Sequence, residues 1–257
     1  MKQKTKKTVL LDGDILVYQA ATVCEEPVDW GDGLWTLHAH EQDALASFIS
    51  QYANVWEGTN ADDVKLFITG PTNYRKDVLP DYKGNRTDKR KPLLLKWLRQ
   101  HLLENYDAIM LENIEADDAI GLYSDIPNCV IVSKDKDLLT ISGTHWDKEK
   151  GFFDVTQEEA DYNLHMQILT GDATDNYKGC TGVGPVKAAK ILAQDMDPWD
   201  AIVGAFKKAG FGETEAIVQA RCARILRPHE YNFDTNEAQL WTPKTTSTNQ
   251  TTTPAAA

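Results

Sequence analysis

The sequence predicts an α/β fold: a mainly parallel sheet flanked by helices, with a helical region appended. Three observations lead there. Apolar runs of strand length alternate with stretches whose apolar residues recur at helical spacing, an alternation that builds parallel sheets. Three of those runs end on acidic residues, and ligands of open α/β sheets bind beyond the strand carboxyl ends. Beyond about residue 156 the strands give way to helices and glycine turns.

In order, "TVLLDGD" (8–14) reads as a buried strand ending in a carboxylate turn, followed by a helix from about Ile15 to Val23. "QDALASFISQYANVW" (42–56) spaces its apolar residues as a helix face, and "VKLFITG" (64–70) is a second short strand. A basic segment comes next, loop-like around Gly84 and Asn85, then helical after Pro92 through "LLLKWLRQHLLE". Strands are expected again at "AIMLE" (108–112) and "CVIVS" (129–133). "LTGDATDNYKGCTGVGPVKAAKIL" (169–192) carries Asp172 and Asp175, three apart and on one side if helical. There Gly182, Gly184 and Pro185 open an amphipathic helix, with proline well placed just inside its start. The expected division is a core over 1–157, including the basic segment at about 71–105, and a helical region over 158–242. A low-complexity tail without fixed structure occupies 243–257.

With 257 residues, 42% of them apolar, the chain can bury a sizeable core, and no run of 18 apolar residues marks a membrane span. "MKQKTKKTVLLDG" lacks a small-residue cleavage site and reads as a solvated tail leading into the first strand. Cys24, Cys129, Cys180 and Cys222 are scattered without a Cys-x-x-Cys, which fits a reduced, cytoplasmic setting. Only His38 and His40, in a polar turn, approach the spacing of a ligand pair. The net charge of −12 argues against a polyanionic partner. Between Tyr74 and Arg99, however, nine basic residues stand against three acidic, a local +6 that a phosphate backbone can use.

The acid-ended runs bring Asp12 and Asp14, then Glu115, Asp117 and Asp118, then Asp135 and Asp137, to one end of the expected sheet. One aspartate at a strand end is an ordinary helix cap, and Asp14 reads better as a cap than as a ligand. Seven carboxylates exceed what capping uses, and their mutual repulsion calls for cations; hard oxygen ligands suit Mg²⁺ or Mn²⁺. Gly182 and Gly184 ahead of a helix leave backbone N–H groups open to phosphate, although glycine turns between helices are also commonplace.

Together these stretches resemble the 5′-nuclease (flap endonuclease) family, most closely the 5′→3′ exonucleases of short-tailed phages. The residues that carry it are "LPDYKGNR" (79–86), "EADD" (115–118), "SKDKD" (133–137) and "GDATDN" with "GVGPVKA" (171–188). The closing "ARILRPHEYNFDTNEAQLWTP" (223–243) is similar to the C-terminus of the phage exonucleases, so the resemblance spans roughly residues 8 to 243. It implies a PIN-like nuclease core with a metal-filled acidic pocket, a helical arch or gateway over it, and a helix-hairpin-helix holding duplex DNA. It assigns Asp12, Glu115, Asp117 and Asp135 to the tighter of two Mg²⁺ ions, for which Mn²⁺ can substitute. Asp118 and Asp137 would lie in or just outside that shell, and Asp172 and Asp175 would serve the second ion. Lys83 and Arg86 would be catalytic, facing the scissile phosphate from the arch together with Tyr82. Gly182, Gly184 and Lys187 would grip a duplex phosphate, with K⁺ at the hairpin as in the family.

Arg75, Lys76 and Lys89–Lys91 are read as contacts to the phosphate backbone, and Tyr74 and Tyr82 as either stacking on an unpaired base or packing. The implied substrates are duplex DNA with 5′ ends, nicks or flaps, and RNA–DNA hybrid whose RNA primer is removed. The implied setting is phage DNA replication or recombination, with replication proteins as partners and no membrane. One departure stands out: where the family carries another Asp at the end of the second strand, "LFITGPTNYRK" offers Gly70. Gly70 favours an alternative, a structure-specific DNA-binding protein with weakened or lost nuclease activity; the intact carboxylates weigh against it. For a ribonuclease of toxin type the chain is too long, and its helical half would have no purpose.

Overall fold

The computed structural model describes residues 5–86 and 89–243. Along the chain come β1 (Thr8–Asp12), α1 (Gly13–Val23), β2 (Glu26–Asp29), β3 (Trp35–His38), α2 (Glu41–Thr59) and β4 (Asp63–Phe67). The single turn α3 (Arg75–Val78), α4 (Leu95–Asn105), α5 (Ala116–Leu122), β5 (Cys129–Val132), β6 (Gly143–Asp147) and β7 (Gly151–Val155) come next. Helices α6 (Gln157–Thr170), α7 (Pro185–Leu192), α8 (Pro198–Lys208) and α9 (Glu213–Ala223) precede a small ribbon of β8 (Tyr231–Asn232) and β9 (Glu237–Ala238).

The main sheet has the order β4-β1-β5-β6-β7, parallel throughout except for β7, which returns antiparallel along β6. β1 lies between two parallel neighbours and is buried along its whole length, so its centre, Val9–Leu11, is a continuous apolar run rather than an alternating one. Its Val9 and Leu11 pack with Val17, Phe48, Leu98 and Leu102 of α1, α2 and α4. On the opposite face Leu10 joins Phe67, Ile120 and Ile131 beneath α5 and the segment around Ile225 and Leu226. A third cluster, built on Leu169, Ile202, Phe206 and Ala216 of α6, α8 and α9, also takes in Tyr82 from the basic segment. Among the described residues no helix is long and apolar enough to cross a membrane.

One expected strand is lost, and the segment around Asp172 is not a helix. The strand at 108–112 shrinks to one isolated bridge between Phe67 and Ile109, because the chain turns at once through Asn113, at φ +59°, to enter α5. Asp172 and Asp175 are not helical but sit in a tight turn closed by the Asp172–Tyr177 bridge. That turn depends on Gly171 (φ +69°) and Gly179 (φ +63°) lying back to back; a Cβ on Gly171 would come within 2.4 Å of the Lys178 backbone. The tail expected at 243–257 lies outside the described residues from 244 onward, as do Thr87 and Asp88 of the basic segment.

Candidate active site

β1 and β5 are neighbours, and an aspartate at or just past the end of each caps the turn of helix behind it. The buried Asp12 carboxylate accepts the Asp14 N–H at 3.1 Å and the Ser133 hydroxyl at 2.8 Å. Asp135 accepts the Asp137 N–H at 2.9 Å, capping the 3₁₀ turn Lys136–Thr140, and its own N–H donates to Ser133 Oγ at 3.0 Å. Ser133 therefore ties the two strand ends together. The capping expected of Asp14 falls to Asp12; Asp14 instead accepts Thr69 N–H at 3.1 Å and Arg99 Nη1 at 2.8 Å.

The pocket divides by charge. On one side protein cations neutralise the acids. Lys83 Nζ bonds Glu115 and lies 3.4 Å from Asp175; Arg86 pairs with Asp175 and Lys136 with Asp172 at 2.9 Å. The Tyr82 hydroxyl sits between Glu115 and Asp175, at 2.9 and 2.8 Å. Burial works against the Glu115 charge, but Lys83 and Arg75 outweigh it and hold the carboxyl below its ordinary range. Asp172 is likewise held low, against burial, by Lys136 and the backbone N–H of Thr174. On the other side the repulsion stands. Burial, with Asp14 and Asp135 adding to it, pushes Asp12 up to about 7. Burial and then Asp12, Asp135 and Glu115 raise Asp117. Asp137 is pushed up to about 7 by burial, Asp135 and Asp172.

Several expected site residues have other employment. Asp118 is fully buried, and the Arg75 it pairs with also lies 3.5 Å from Glu115. Asp118 takes Arg75 on both oxygens (2.5 and 2.8 Å) and also accepts Leu226 N–H at 3.0 Å and Glu115 N–H at 3.2 Å, leaving no lone pair for a metal. Arg75, 3% exposed, is thereby removed from any phosphate backbone. Tyr74 and Tyr82 are both buried, with Tyr74 against the Arg75 guanidinium, so both pack and neither is open to stack on a base. The local +6 is largely consumed: Arg75, Lys83, Arg86, Arg90 and Arg99 each pair with an acid elsewhere in the chain. Among the described residues Lys76, Lys89, Lys91 and Lys96 remain exposed and pair with no acid.

Gly184 caps α7 without a side chain, Gly182 has φ +72°, and Lys187 Nζ donates to Gly182 O at 3.2 Å, all on the surface. Sequence reasoning missed Ser133, Lys136 and Gln167, whose side-chain amide donates to Asp137 at 2.8 Å. Ser133 and Lys136 lie inside "SKDKD", but nothing in the sequence signals Gln167, thirty positions from its partner.

At the end of β4 the Thr69 hydroxyl accepts the Ala116 N–H at 2.9 Å, and a Cβ on Gly70 would stand 3.0 Å from Leu111 O. Gly70→Asp is expected to cost about 1 kcal/mol of stability through overpacking, leaving cleavage rate and Mg²⁺ dependence unchanged. Thermal melts and single-turnover cleavage measure both; a rate increase would show that a carboxylate is wanted there.

Among the described residues no three His, Cys, Asp or Glu side chains converge closely enough to form a ready metal cage. The donors nevertheless fit a divalent ion in kind. Asp12, Asp117 and Asp135 offer hard oxygens, and Asp12 and Asp117 are raised by burial and by the neighbouring acids, with no protein cation to offset them fully.

A mainly parallel sheet with acids grouped past its strand ends, and lysine and arginine inserted among them, defines an enzyme that cleaves phosphodiesters, a nuclease. Residues 7–172 match the family described as 5′-3′ exonuclease, N-terminal resolvase-like domain, and the chain belongs to that family. It is 29% identical to the exonuclease of Escherichia phage T7 and 30% identical to the exodeoxyribonuclease of Enterobacteria phage T3. Each alignment covers 93% of this chain and 94% of the relative. A crystal structure of the bacteriophage T5 flap endonuclease, in a complex with DNA and metal ions, matches with a TM-score of 0.59 at 14% identity. That match covers 84% of this chain and 91% of the T5 chain, and it establishes a shared fold.

Proposed function

We propose that the enzyme hydrolyses DNA at 5′ ends, nicks and flaps, and the RNA strand of RNA–DNA hybrids, in phage replication or recombination. The division of the acidic pocket supports this reading most directly, since one half is balanced by lysine and arginine and the other holds acids that repel one another. Asp12, Asp117 and Asp135, with Glu115, would hold one Mg²⁺ or Mn²⁺; Asp172 and Asp175 would hold a second, with Asp137 beside them. Such ions, when bound, activate a water and neutralise charge on the phosphoryl and leaving oxygens.

The chain's own residues do the rest. Ser133 orients Asp12, and Gln167 orients Asp137. Lys83 and Arg86, on exchanging Glu115 and Asp175 for a scissile phosphate, place positive charge where negative charge accumulates. Exposed Lys76, Lys89 and Lys91 steady the phosphate backbone. The N–H groups around Gly182 and Gly184, with Lys187, take a duplex phosphate further along, beside the K⁺ ion that the family resemblance implies.

The test uses 5′-labelled nicked duplex, flap and RNA–DNA hybrid with Mg²⁺ or with EDTA. Short 5′ products that need the metal are expected from all three. Tight binding without cleavage would reject the reading, and cleavage of DNA alone would remove its RNA part. Lys83→Met and Arg86→Met are each expected to slow single-turnover cleavage about 10²- to 10³-fold with little change in affinity. An unchanged rate would take that side chain out of the chemistry.

A further inference from the structure

The β2–β3 hairpin belongs neither to the main sheet nor to the acidic pocket: its strands pair only with each other. Its tip is nonetheless firmly built. Trp30 N–H donates to Leu34 O, Leu34 N–H to Gly31 O and Gly31 N–H to the Asp29 carboxylate, each at 2.9 Å, and the Trp30 indole N–H reaches Thr36 Oγ1 at 2.6 Å. Two strands alone are marginal in water, yet this pair turns its largest side chains to solvent. Trp30, Leu34 and Trp35 are 62%, 61% and 59% exposed. Trp30 and Leu34 lie opposite each other on the face that also carries Thr36 and His38, whereas Trp35, paired with Asp29, lies on the other face. Exposed apolar side chains of this size mark docking surfaces, and tryptophan is among the side chains most enriched at binding hot spots.

Charge indicates the occupant. From Thr8 to Val64 the chain has eleven Asp and Glu and no Lys or Arg, so this stretch carries nearly all of the net −12. Glu26, Asp29, Asp32, Glu41 and Asp43 are all exposed, on the hairpin or just beyond it. Such a surface repels a phosphate backbone. Apolar anchors among acids match instead a basic partner that brings apolar side chains of its own. At the hairpin's base Glu25 takes Arg90 on both oxygens at 2.7 Å and accepts Leu93 N–H at 2.8 Å, which sets the hairpin beside the middle of the basic segment.

We propose that the hairpin over residues 26–38 is a docking site for a lysine- and arginine-rich segment of another protein, with Trp30 and Leu34 as the anchors on its Thr36 face. The site is separate from the acidic pocket and does not depend on how that pocket works. The probe is a fluorescein-labelled peptide of alternating lysine and leucine, titrated into the whole protein and read by anisotropy. Saturable binding that weakens with salt is expected, with affinity lower by at least about tenfold in Trp30→Ala and in Asp29→Asn/Asp32→Asn. Flap cleavage by both variants should match the parent, which also shows that they fold. No saturable binding to the parent, or equal binding by the tryptophan variant, overturns the proposal. A single-stranded oligonucleotide is expected to bind parent and tryptophan variant alike; a loss with the variant would make the hairpin a nucleic-acid surface instead. Self-association of the parent that disappears in the variant would assign the site to a second copy of the chain.

Discussion

Asp135→Asn is expected to abolish cleavage, by at least about 10³-fold, while leaving the metal-free protein no less stable than the parent. Asparagine is isosteric and caps as well as aspartate, so the bond to Asp137 N–H and the 3₁₀ turn behind it survive. The substitution deletes a charge that raises both Asp12 and Asp117, and so relieves repulsion in the half of the pocket that protein cations leave unbalanced. The same loss weakens a divalent-ion site. Three measurements therefore move in different directions: the melting temperature in EDTA holds or rises, the stabilisation by added Mg²⁺ shrinks, and single-turnover cleavage disappears. Binding of a nicked duplex in EDTA should be largely unchanged. A variant that cleaves at the parent rate would show that Asp135 holds no ion. A variant that melts well below the parent in EDTA would show that it is structural.

Arg75→Met should cost about 3–5 kcal/mol of stability, the largest effect expected from any single side chain outside the pocket. Arg75 is buried, and beyond Asp118 it donates to Cys222 O at 3.0 Å and to Arg224 O at 2.8 Å. Its removal strands a fully buried carboxylate together with two carbonyls, and loosens the chain beyond α9 from α5. The double variant Arg75→Met/Asp118→Leu removes the stranded charge too and should recover part of the loss. Leu226 N–H and Glu115 N–H would still lack their acceptor, so recovery is not complete. The shift in urea midpoint reports both values. A single variant that loses less than about 1 kcal/mol would mean that water reaches Asp118 once the arginine is gone.

Much of the fold was legible because it is encoded locally. β1, α1, α2, β4, β5 and α7 all form within a few residues of where apolar spacing places them. The strand expected at 108–112 fails because periodicity does not register a left-handed turn at Asn113 immediately after it. The β6–β7 hairpin was not legible because "DKEK" interrupts its apolar pattern. At the pocket, the acids closing β1 and β5 and opening α5 were readable as a group, since a strand end and a helix start are both sequence-local features. Which of them would be neutralised was not.

The sequence by itself determined that carboxylates gather at one end of a parallel sheet, that a basic segment comes after β4, and that both belong to a 5′-nuclease pattern. The tertiary structure alone decided how those charges divide. It set Arg75 on Asp118 from 43 residues away, Lys83 on Glu115 from 32 and Arg86 on Asp175 from 89. It left Asp12 buried and Asp117 half-buried, chiefly among other acids, Asp135 included. The reason is physical: an ion pair depends on separation and burial in space, and neither is a function of spacing along the chain. "EADD" shows the result in four residues, with Asp117 raised by burial and its acidic neighbours and Asp118, one position on, fully satisfied by a buried arginine.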